Sequence, residues 1–187
     1  EDAVAAMVET AVPEYGRLDF ARNNAGIGGE QKPTADLSFD EWERVIDVNL
    51  HGVWRSMRYE IPAMLDGDGG VVVNMASILG RVGFENASAY VTAKHGLQGL
   101  TRSIAAEGEG TLRGFSVSVG YVLTPLMVNQ IEDTAEERGI SERAVVEDVM
   151  LGQARTKEMM TPAEVANLFV FGFSRHGKHL NGGDLLW

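Results

Sequence analysis

Two residues in the middle of the sequence could move a proton together. Tyr90 and Lys94 are four residues apart at the start of a helical pattern that begins near Ser88, so both side chains lie on one face. A free phenol has a pKa of ~10 and transfers protons poorly at neutral pH, but a neighbouring ammonium favours the phenolate and lowers that pKa. The spacing predicts an acid/base pair, although alone it fits a half-buried tyrosine beside a solvated lysine equally well.

A serine stands where it could hold the oxygen of a substrate. Ser77 comes 13 residues before Tyr90 and directly follows an apolar segment, 71–76, that is typical of a buried strand. In open parallel sheets the carboxyl ends of the strands form the edge where ligands bind. A serine after a strand is usually only a polar loop residue, so the combination with Tyr90 and Lys94 carries the prediction.

Asparagines mark two further positions. The sequence Asn23-Asn24-Ala25-Gly26 follows a short apolar segment, 18–21, and its glycine would let a ligand approach the backbone while asparagine side chains fix neighbouring strands. An ordinary turn is the alternative. Asn49 lies among apolar residues of a helical pattern, where a buried amide needs partners and an exposed position would need none.

The elements that would position these residues alternate between helix and strand. This alternation predicts helices packed on a mainly parallel sheet. Ser38 and Glu41 form a capping box ahead of a long helix, and Thr161-Pro162-Ala163-Glu164 starts another. The predicted helices span 3–15, from Ser38 to about 62, 88–107, 126–150 and from Thr161, and the strands span 18–21, 71–76, 115–119 and from Asp184. We find no internal boundary and expect one domain over 1–187.

Composition narrows the classes of function. The chain has 187 residues, 44% hydrophobic and 23% charged, with a net charge of −11, so it should repel nucleic acid and anionic membranes. It has no cysteine, which excludes disulfides and thiolate metal sites and fits a cytoplasmic protein. No apolar run is long enough to span a membrane. His176 and His179 would need further ligands to bind a metal, and we predict none.

Five short motifs occur in an order and spacing that resemble those of short-chain dehydrogenases/reductases. They are Asn23-Asn24-Ala25-Gly26, Asp47-Val48-Asn49-Leu50-x-Gly52, Asn74-Met75-Ala76-Ser77, Tyr90-x-x-x-Lys94 and Gly120-x-x-x-Thr124-Pro125. The resemblance covers essentially the whole chain. It implies an α/β fold, a Rossmann-type doubly wound parallel sheet with helices on both faces. It also implies an NAD(P)-dependent oxidoreductase that interconverts a secondary alcohol and a ketone.

The same resemblance implies roles for the catalytic residues. Tyr90 would be the general acid/base, and Ser77 would orient the alcohol or carbonyl oxygen. Lys94 would bind the nicotinamide ribose and lower the pKa of Tyr90, and Asn49 would hold a water that links Lys94 to solvent. The cofactor would carry the hydride, and the protein would supply position and electrostatics.

Cofactor and assembly also follow from the resemblance. NAD or NADP is implied, with NAD slightly favoured. Besides Tyr90 and Lys94, the cofactor-binding residues would be Asn23, Ala25, Gly26, Gly120, Val122 and Thr124. The helices that follow Ser38 and Ser88 are the pair that family members use to associate, which implies a homo-oligomer, either a dimer or a tetramer.

The substrate pocket is implied by a narrower resemblance. From Gly120 onward the chain looks like bacterial 3-hydroxybutyrate dehydrogenases, in which the positions of Tyr121, Gln130 and Leu79 line the substrate pocket. That subfamily usually binds the carboxylate with Gln, His and Lys side chains. This chain has Gly28, Leu79 and Ala87 at those positions. Since burying an anion without such donors is unfavourable, we expect a less polar secondary alcohol or ketone, with the D-3-hydroxy acid as the alternative.

Three features depart from the family pattern. The glycine-rich turn after the family's first strand is absent, so we expect the chain to begin on the order of 60 residues into its domain, and to be truncated in its last strand. Such a chain should bind the cofactor poorly by itself. Val119 replaces the family's proline, and Gly114-Phe115 replaces Val-Asn. A truncated, noncatalytic binding or oligomerisation module is therefore a further alternative.

Overall fold

Four parallel strands form the centre of the larger of two compact units. The structure, a computed structural model, describes residues 2–152, 154 and 156–186, with backbone alone for Leu126, Asp133 and Glu137. Unit 1 comprises Glu1–Ser118 and Phe169–Trp187, and unit 2 comprises Val119–Leu168. The single domain over 1–187 stays a prediction.

Unit 1 contains the whole sheet. Its strands are β1 (Phe20–Asn23), β2 (Gly70–Met75), β3 (Leu112–Ser118) and β4 (Asp184–Leu186). They lie in the order β1-β2-β3-β4, and every neighbouring pair is parallel. The carboxyl ends of all four strands therefore meet at one edge.

The helices of unit 1 alternate with these strands along the chain. They are α1 (Asp2–Tyr15), α2 (Phe39–Ile46), α3 (Gly52–Leu65) and α4 (Ser88–Glu107), with a π-helical turn (Asp47–His51) joining α2 to α3 and 3-10 turns at Thr34–Asp36, Ile78–Gly80 and Arg175–Gly177. Unit 2 contains α5 (Pro125–Arg138), α6 (Glu142–Ala144) and a second π-helical turn (Val145–Met150). Helix α7 (Pro162–Phe173) begins in unit 2 and ends in unit 1.

Strand β3 shows that helices cover both faces of the sheet. A Cβ on Gly114 would lie 2.7 Å from the side chain of Ile104 on α4, so this face is closed by α4. The next residue, Phe115, points to the opposite face, where its ring fills the space beside Gly172 of α7. The predicted fold class, a Rossmann-type doubly wound parallel sheet, is confirmed. Gly114 is required for close packing of α4, rather than being a weak point in the strand.

The core between the sheet and the α3 and α4 helices is apolar. It is formed by a cluster of buried side chains: Ala21, Val53, Met57, Met64, Val72, Ala76, Leu97, Ile104 and Leu112. Burying such side chains is the main favourable contribution to folding, at about 25 cal/mol per Å² of apolar surface. This core holds the carboxyl ends of β1 and β2 rigidly against α3 and α4.

The bounds of some elements differ from the sequence predictions. Strands begin where hydrogen-bonded pairing with the neighbouring strand begins. Strand β1 begins at Phe20, opposite Val71, rather than at 18, and β3 begins at Leu112 rather than at 115. The predicted helix over 126–150 is interrupted at Gly139, whose φ of 61° is the left-handed conformation that ends helices. Among the described residues, no helix has both the length and the apolar character needed to cross a membrane.

Candidate active site

Ser77 stands just beyond the carboxyl end of β2. The strand ends at Met75, and the N–H of Ala76 still donates to the Val117 carbonyl at 2.9 Å, so the sheet is paired up to the residue before Ser77. Ser77 is buried, and its hydroxyl accepts a hydrogen bond from the Leu79 N–H at 3.2 Å, which caps the Ile78–Gly80 turn. The serine is thereby held at the edge where the sequence predicts it.

Tyr90 lies in the first turn of α4 and is linked to Ser77. Burial raises the pKa of Tyr90, and a hydrogen bond with the Ser77 side chain opposes that rise. The net pKa lies above the ordinary value for a phenol. The Ser77 and Tyr90 side chains, which the sequence placed in one reaction, therefore lie close together.

Lys94 lies one turn further along α4 and is only 3% exposed. Its Nζ donates to the Met75 carbonyl at 2.8 Å and lies 5.5 Å from the centroid of the Tyr90 ring. Burial lowers the pKa of Lys94 to about 8, so the side chain is still mostly protonated at pH 7. The pKa of Tyr90 is therefore raised rather than lowered as expected, because burial outweighs the opposing hydrogen bond at Tyr90. The Lys94 ammonium is held by the Met75 carbonyl.

Asn49 is fully buried in the π-helical turn between α2 and α3, so the alternative of an exposed position is wrong. Its Nδ2 donates to the carbonyls of Val45 and Ile27, both at 2.9 Å, and its Oδ1 accepts from the Ile27 N–H at 3.2 Å. One amide thus ties the helix to the loop after β1. Single π-helical turns of this kind occur frequently at functional sites.

Gly26 brings this loop close to both Asn49 and Lys94. A Cβ at Gly26 would lie 2.7 Å from Asn49 Oδ1 and 3.7 Å from Lys94 Nζ. The glycine is therefore needed for packing within the protein, in addition to the ligand approach that the sequence predicts. Ala25 and Gly26 are exposed and leave their backbone open to solvent.

Asn23 has a different environment from the one that the resemblance implies. Its Nδ2 donates to Glu60 Oε2 and to Asn74 Oδ1, both at 3.1 Å, and Asn74 Nδ2 donates to Thr101 Oγ1 at 2.9 Å. The amide N–H groups of Asn23 are therefore committed to a buried network that joins β1, β2, α3 and α4. Any contact of Asn23 with a cofactor falls to its backbone.

The sequence interpretation missed Glu60, although a signal was present. The buried residues of α3 are Val53, Met57, Glu60 and Met64, which follow helical spacing, so Glu60 stands on the apolar stripe. Burial raises the pKa of this carboxyl, and the hydrogen bond from Asn23 opposes the rise. An acidic residue on an apolar stripe needs a partner, and Asn23 is that partner.

The other predicted site residues belong to the loop after Ser77 and to unit 2. Leu79 is half-buried beside Ser77. Within unit 2, Val122 pairs with Met160 as an isolated bridge, and Thr124 caps α5 by accepting from the Met127 N–H at 3.4 Å. Tyr121 packs against the buried cluster of unit 2, which raises its pKa. Gly120 is exposed and Gln130 is half-buried.

No metal centre is found within the described part of the chain. No group of three or more His, Asp or Glu side chains there has a geometry that could hold a metal ion. The chemistry available at the edge of the sheet is therefore that of two hydroxyls, one ammonium and the exposed backbone of the loop after β1.

Comparison with known sequences gives one family over almost the whole chain. A family model described as "Enoyl-(Acyl carrier protein) reductase" matches residues 1–186. The cyclohexanol dehydrogenase of Acinetobacter sp. (strain SE19) is 52% identical over 128 residues, which are 68% of this chain and 51% of that protein. The D-beta-hydroxybutyrate dehydrogenase of Rhizobium meliloti is 39% identical over 169 residues, which are 90% of this chain and 65% of that protein. The chain thus spans less than two thirds of either relative.

Solved structures agree with these sequence matches. The carveol dehydrogenase of Mycobacterium avium, solved in complex with NAD, superposes with a TM-score of 0.92 at 26% identity and covers 99% of this chain and 69% of that one. The structural similarity therefore extends over nearly the whole chain.

Proposed function

Because this chain belongs to the short-chain dehydrogenase/reductase family, we propose that the full-length protein is an oxidoreductase that interconverts a secondary alcohol and a ketone with NAD or NADP. The observation that carries the proposal is the proximity of the Ser77 and Tyr90 side chains, with Lys94 buried one helical turn away. Two neighbouring hydroxyls at the carboxyl edge of a parallel sheet can bind one substrate oxygen between them. The neighbouring ammonium favours charge on the phenol.

The residues of unit 1 fit a nicotinamide cofactor. The backbone of Ala25 and Gly26 is exposed at the carboxyl end of β1, where dinucleotides bind in such sheets. Lys94 has three N–H donors, and the Met75 carbonyl accepts one of them, so the ammonium can also bind ribose hydroxyls. When bound, the nicotinamide supplies or accepts the hydride.

Each side chain then has a defined task. The Ser77 hydroxyl orients the substrate oxygen, and Tyr90 Oη takes the proton from the alcohol or gives it to the carbonyl. Lys94, mostly protonated at pH 7, stabilises the phenolate by its charge. Asn49 holds the loop after β1 against Lys94, and a water beside it would connect the ammonium to solvent. Gly120 would contact the cofactor, and the backbone of Val122 together with Thr124 would bind the nicotinamide carboxamide.

The substrate is proposed to be a neutral secondary alcohol with an apolar body. The segment between Ser77 and Tyr90 exposes apolar side chains, namely Ile78, Val82 and Phe84. The cation in this segment, Arg81, is paired with Asp184 and is not free to bind a carboxylate. The relative with 52% identity is named for cyclohexanol, which is a neutral alicyclic alcohol.

A second candidate is a D-3-hydroxybutyrate dehydrogenase. The specific observation in its favour is the 39% identity to a protein of that name over 90% of this chain. Against it stand Gly28, Leu79 and Ala87, which offer no side-chain donor for a carboxylate. The two candidates predict opposite orders of substrate preference.

The test is a steady-state assay of the full-length protein with cyclohexanol and with D-3-hydroxybutyrate, each with NAD and with NADP. We expect formation of the reduced nicotinamide with cyclohexanol and a lower kcat/KM with the hydroxy acid. A preference for the hydroxy acid would establish the second candidate instead. If neither alcohol, nor any of a panel of other secondary alcohols, is oxidised with either cofactor, the oxidoreductase proposal is rejected.

The proposal also includes the oligomeric state of the protein and its location in the cell. Helices α3 and α4 border a groove of about 280 Å³ that includes Trp54, Ile61 and Leu100, and we propose that this face joins copies of the chain in a homo-oligomer. Trp54 is exposed in the single chain. A monomeric mass of the full-length protein in solution, measured by light scattering, would reject the proposed homo-oligomer.

A cytoplasmic location is proposed on the absence of cysteine in the sequence.

A further inference from the structure

An ion pair joins the end of the turn that follows Ser77 to the start of β4. Arg81 Nε donates to Asp184 Oδ2 at 2.6 Å, and the two residues are 103 positions apart. The side chain of Asp184 is 2% exposed and that of Arg81 is 41% exposed. A buried carboxylate requires compensation, so this pair differs in kind from an ion pair at the surface.

The buried partner is anchored on several elements. Ser116 Oγ on β3 donates to Asp184 Oδ1 at 2.7 Å. Burial raises the pKa of Asp184, but hydrogen bonds outweigh burial and hold the pKa below its usual value; their partners are Ser116, Arg81, Ser118 and Gln98. Gln98 belongs to α4, the helix that carries Tyr90 and Lys94. Hydrogen bonds therefore hold the Asp184 side chain in place relative to both the sheet and helix α4.

The exposed partner is attached to the turn that Ser77 begins. The Gly80 N–H donates to the Ser77 carbonyl at 2.8 Å, and the Arg81 N–H donates to the Ile78 carbonyl at 2.9 Å. A Cβ on Gly80 would lie 2.8 Å from the Lys94 carbonyl, so the turn is pressed against α4. A movement of Arg81 would therefore move Ser77 relative to Tyr90.

Another ion pair of the same unit shows the contrast. Arg17 NH1 lies 2.8 Å from Asp68 Oδ2, where the side chains are 45% and 85% exposed. Both residues precede strands, so they lie near the opposite edge of the sheet from Ser77. Exposed pairs of this kind contribute little to stability, and Arg17 serves as the matched control.

We propose that Asp184, through Arg81, is a positioning residue that holds the Ser77 turn against α4 and so sets the position of Ser77 relative to Tyr90. The inference rests on the proposed oxidoreductase function for its effect on turnover. Asp184 itself touches no reacting atom. Its action on the reaction passes through Ser77.

A double-mutant cycle in the full-length protein tests this coupling. Asp184→Asn keeps the shape of the side chain and an acceptor for Ser116 while removing the charge. We expect it to lower kcat about tenfold in the wild-type background, since small misplacements of reacting groups cost up to about a hundredfold. In the Ser77→Ala background the same change should lower kcat less than about twofold, because coupled residues are not additive. Equal losses in both backgrounds, or an unchanged kcat, would overturn the proposal.

Two further variants separate positioning from general destabilisation. Arg81→Lys preserves the charge and should retain more of kcat than Arg81→Ala. Arg17→Ala should leave kcat unchanged in both backgrounds. If Arg81→Ala matches the wild type, the ion pair positions nothing and the inference fails.

Hydrogen exchange tests the positioning role of Asp184 even if the protein turns over no substrate. Backbone amide exchange, followed by mass spectrometry on peptides that cover Gly80 and Arg81, should be faster in Asp184→Asn than in the wild type. Arg17→Ala should leave exchange at these amides unchanged. Faster exchange without any hydride transfer would reject the proposed function and keep the positioning, whereas unchanged exchange would reject the positioning itself.

Discussion

The ammonium nitrogen of Lys94 lies 5.5 Å from the centroid of the Tyr90 ring. At this distance its charge stabilises negative charge on the phenol, while its Nζ donates a hydrogen bond to the Met75 carbonyl. Burial affects both groups in the same sense, because it lowers the pKa of Lys94 and raises that of Tyr90. The pair is thus held in a low-polarity environment that disfavours charge on either member, at a cost to stability.

Replacing Lys94 by methionine should reveal this cost in the pH dependence of stability. Burial lowers the pKa of Lys94 from 10.5 to about 8, so between these values the unfolded chain binds more protons than the folded one. The free energy of unfolding of the wild type, measured relative to that of Lys94→Met, should therefore be flat below pH 7 and rise as the pH goes from 8 to 10. The full change is on the order of 3 kcal/mol, since one pKa unit corresponds to about 1.4 kcal/mol.

Urea unfolding of both proteins at several pH values measures this difference directly. Comparing the two proteins cancels the titration of all other groups. A difference that stays constant from pH 7 to pH 10 would mean that Lys94 is not buried as the structure has it.

Adding a methyl group at Gly26 should disturb the loop that packs on Asn49. The Cβ of Gly26→Ala would lie 2.7 Å from Asn49 Oδ1, and overpacking of this kind costs about 1–3 kcal/mol. We expect a lower melting temperature and a loss of turnover. Gly28→Ala is the matched control, because nothing lies within 4 Å of its Cβ position. Equal stability of the two variants would contradict the packing described for Gly26.

Glu60→Gln should be neutral or stabilising at neutral pH. The variant keeps an oxygen that accepts from Asn23 Nδ2 and removes a buried charge. Burial raises the pKa of Glu60 above 4.5, so wild-type stability falls as the pH rises through 4.5 and stays reduced above the folded-state pKa. The stability of Glu60→Gln relative to the wild type should therefore be greater at pH 7 than at pH 4.

The control for this comparison is an exposed glutamate. Glu14 lies on the exposed surface of α1, and Glu14→Gln, measured at the same pH values, is the matched variant. If Glu60→Gln loses stability relative to the wild type between pH 4 and pH 7, the buried carboxyl is ionised and compensated in a way that this structure does not contain.

Elements with strong local signals could be predicted from the sequence. Helix α4 has the predicted bounds, and α7 begins after Thr161, whose hydroxyl accepts from the Glu164 N–H at 3.3 Å while Glu164 Oε2 accepts from the Thr161 N–H at 2.7 Å. Ser38 and Glu41 form the same reciprocal cap at α2. Capping depends on residues three positions apart, so a short stretch of sequence contains all of the information.

Features that depend on distant residues could not be predicted. The start of β1 is set by pairing of Phe20 with Val71. The ion pair between Asp184 and Arg81 joins residues that are 103 positions apart in the sequence. The motif spacing identified Ser77, Tyr90 and Lys94 as neighbours but not the direction of the Lys94 hydrogen bond. The direction of this hydrogen bond depends on the packing of the Lys94 side chain next to the Met75 carbonyl, and that packing exists only in the folded chain.

The most direct test of the central claim is the turnover of Tyr90→Phe in the full-length protein. The variant removes one hydroxyl and keeps the ring, and general acid/base catalysis contributes about 10²–10⁴ to a rate, so kcat should fall by that order while the melting temperature and NADH binding are retained. Tyr15→Phe, at a side chain that is 78% exposed, should turn over like the wild type. An undiminished kcat in Tyr90→Phe would contradict the assignment of Tyr90 as the group that moves the proton.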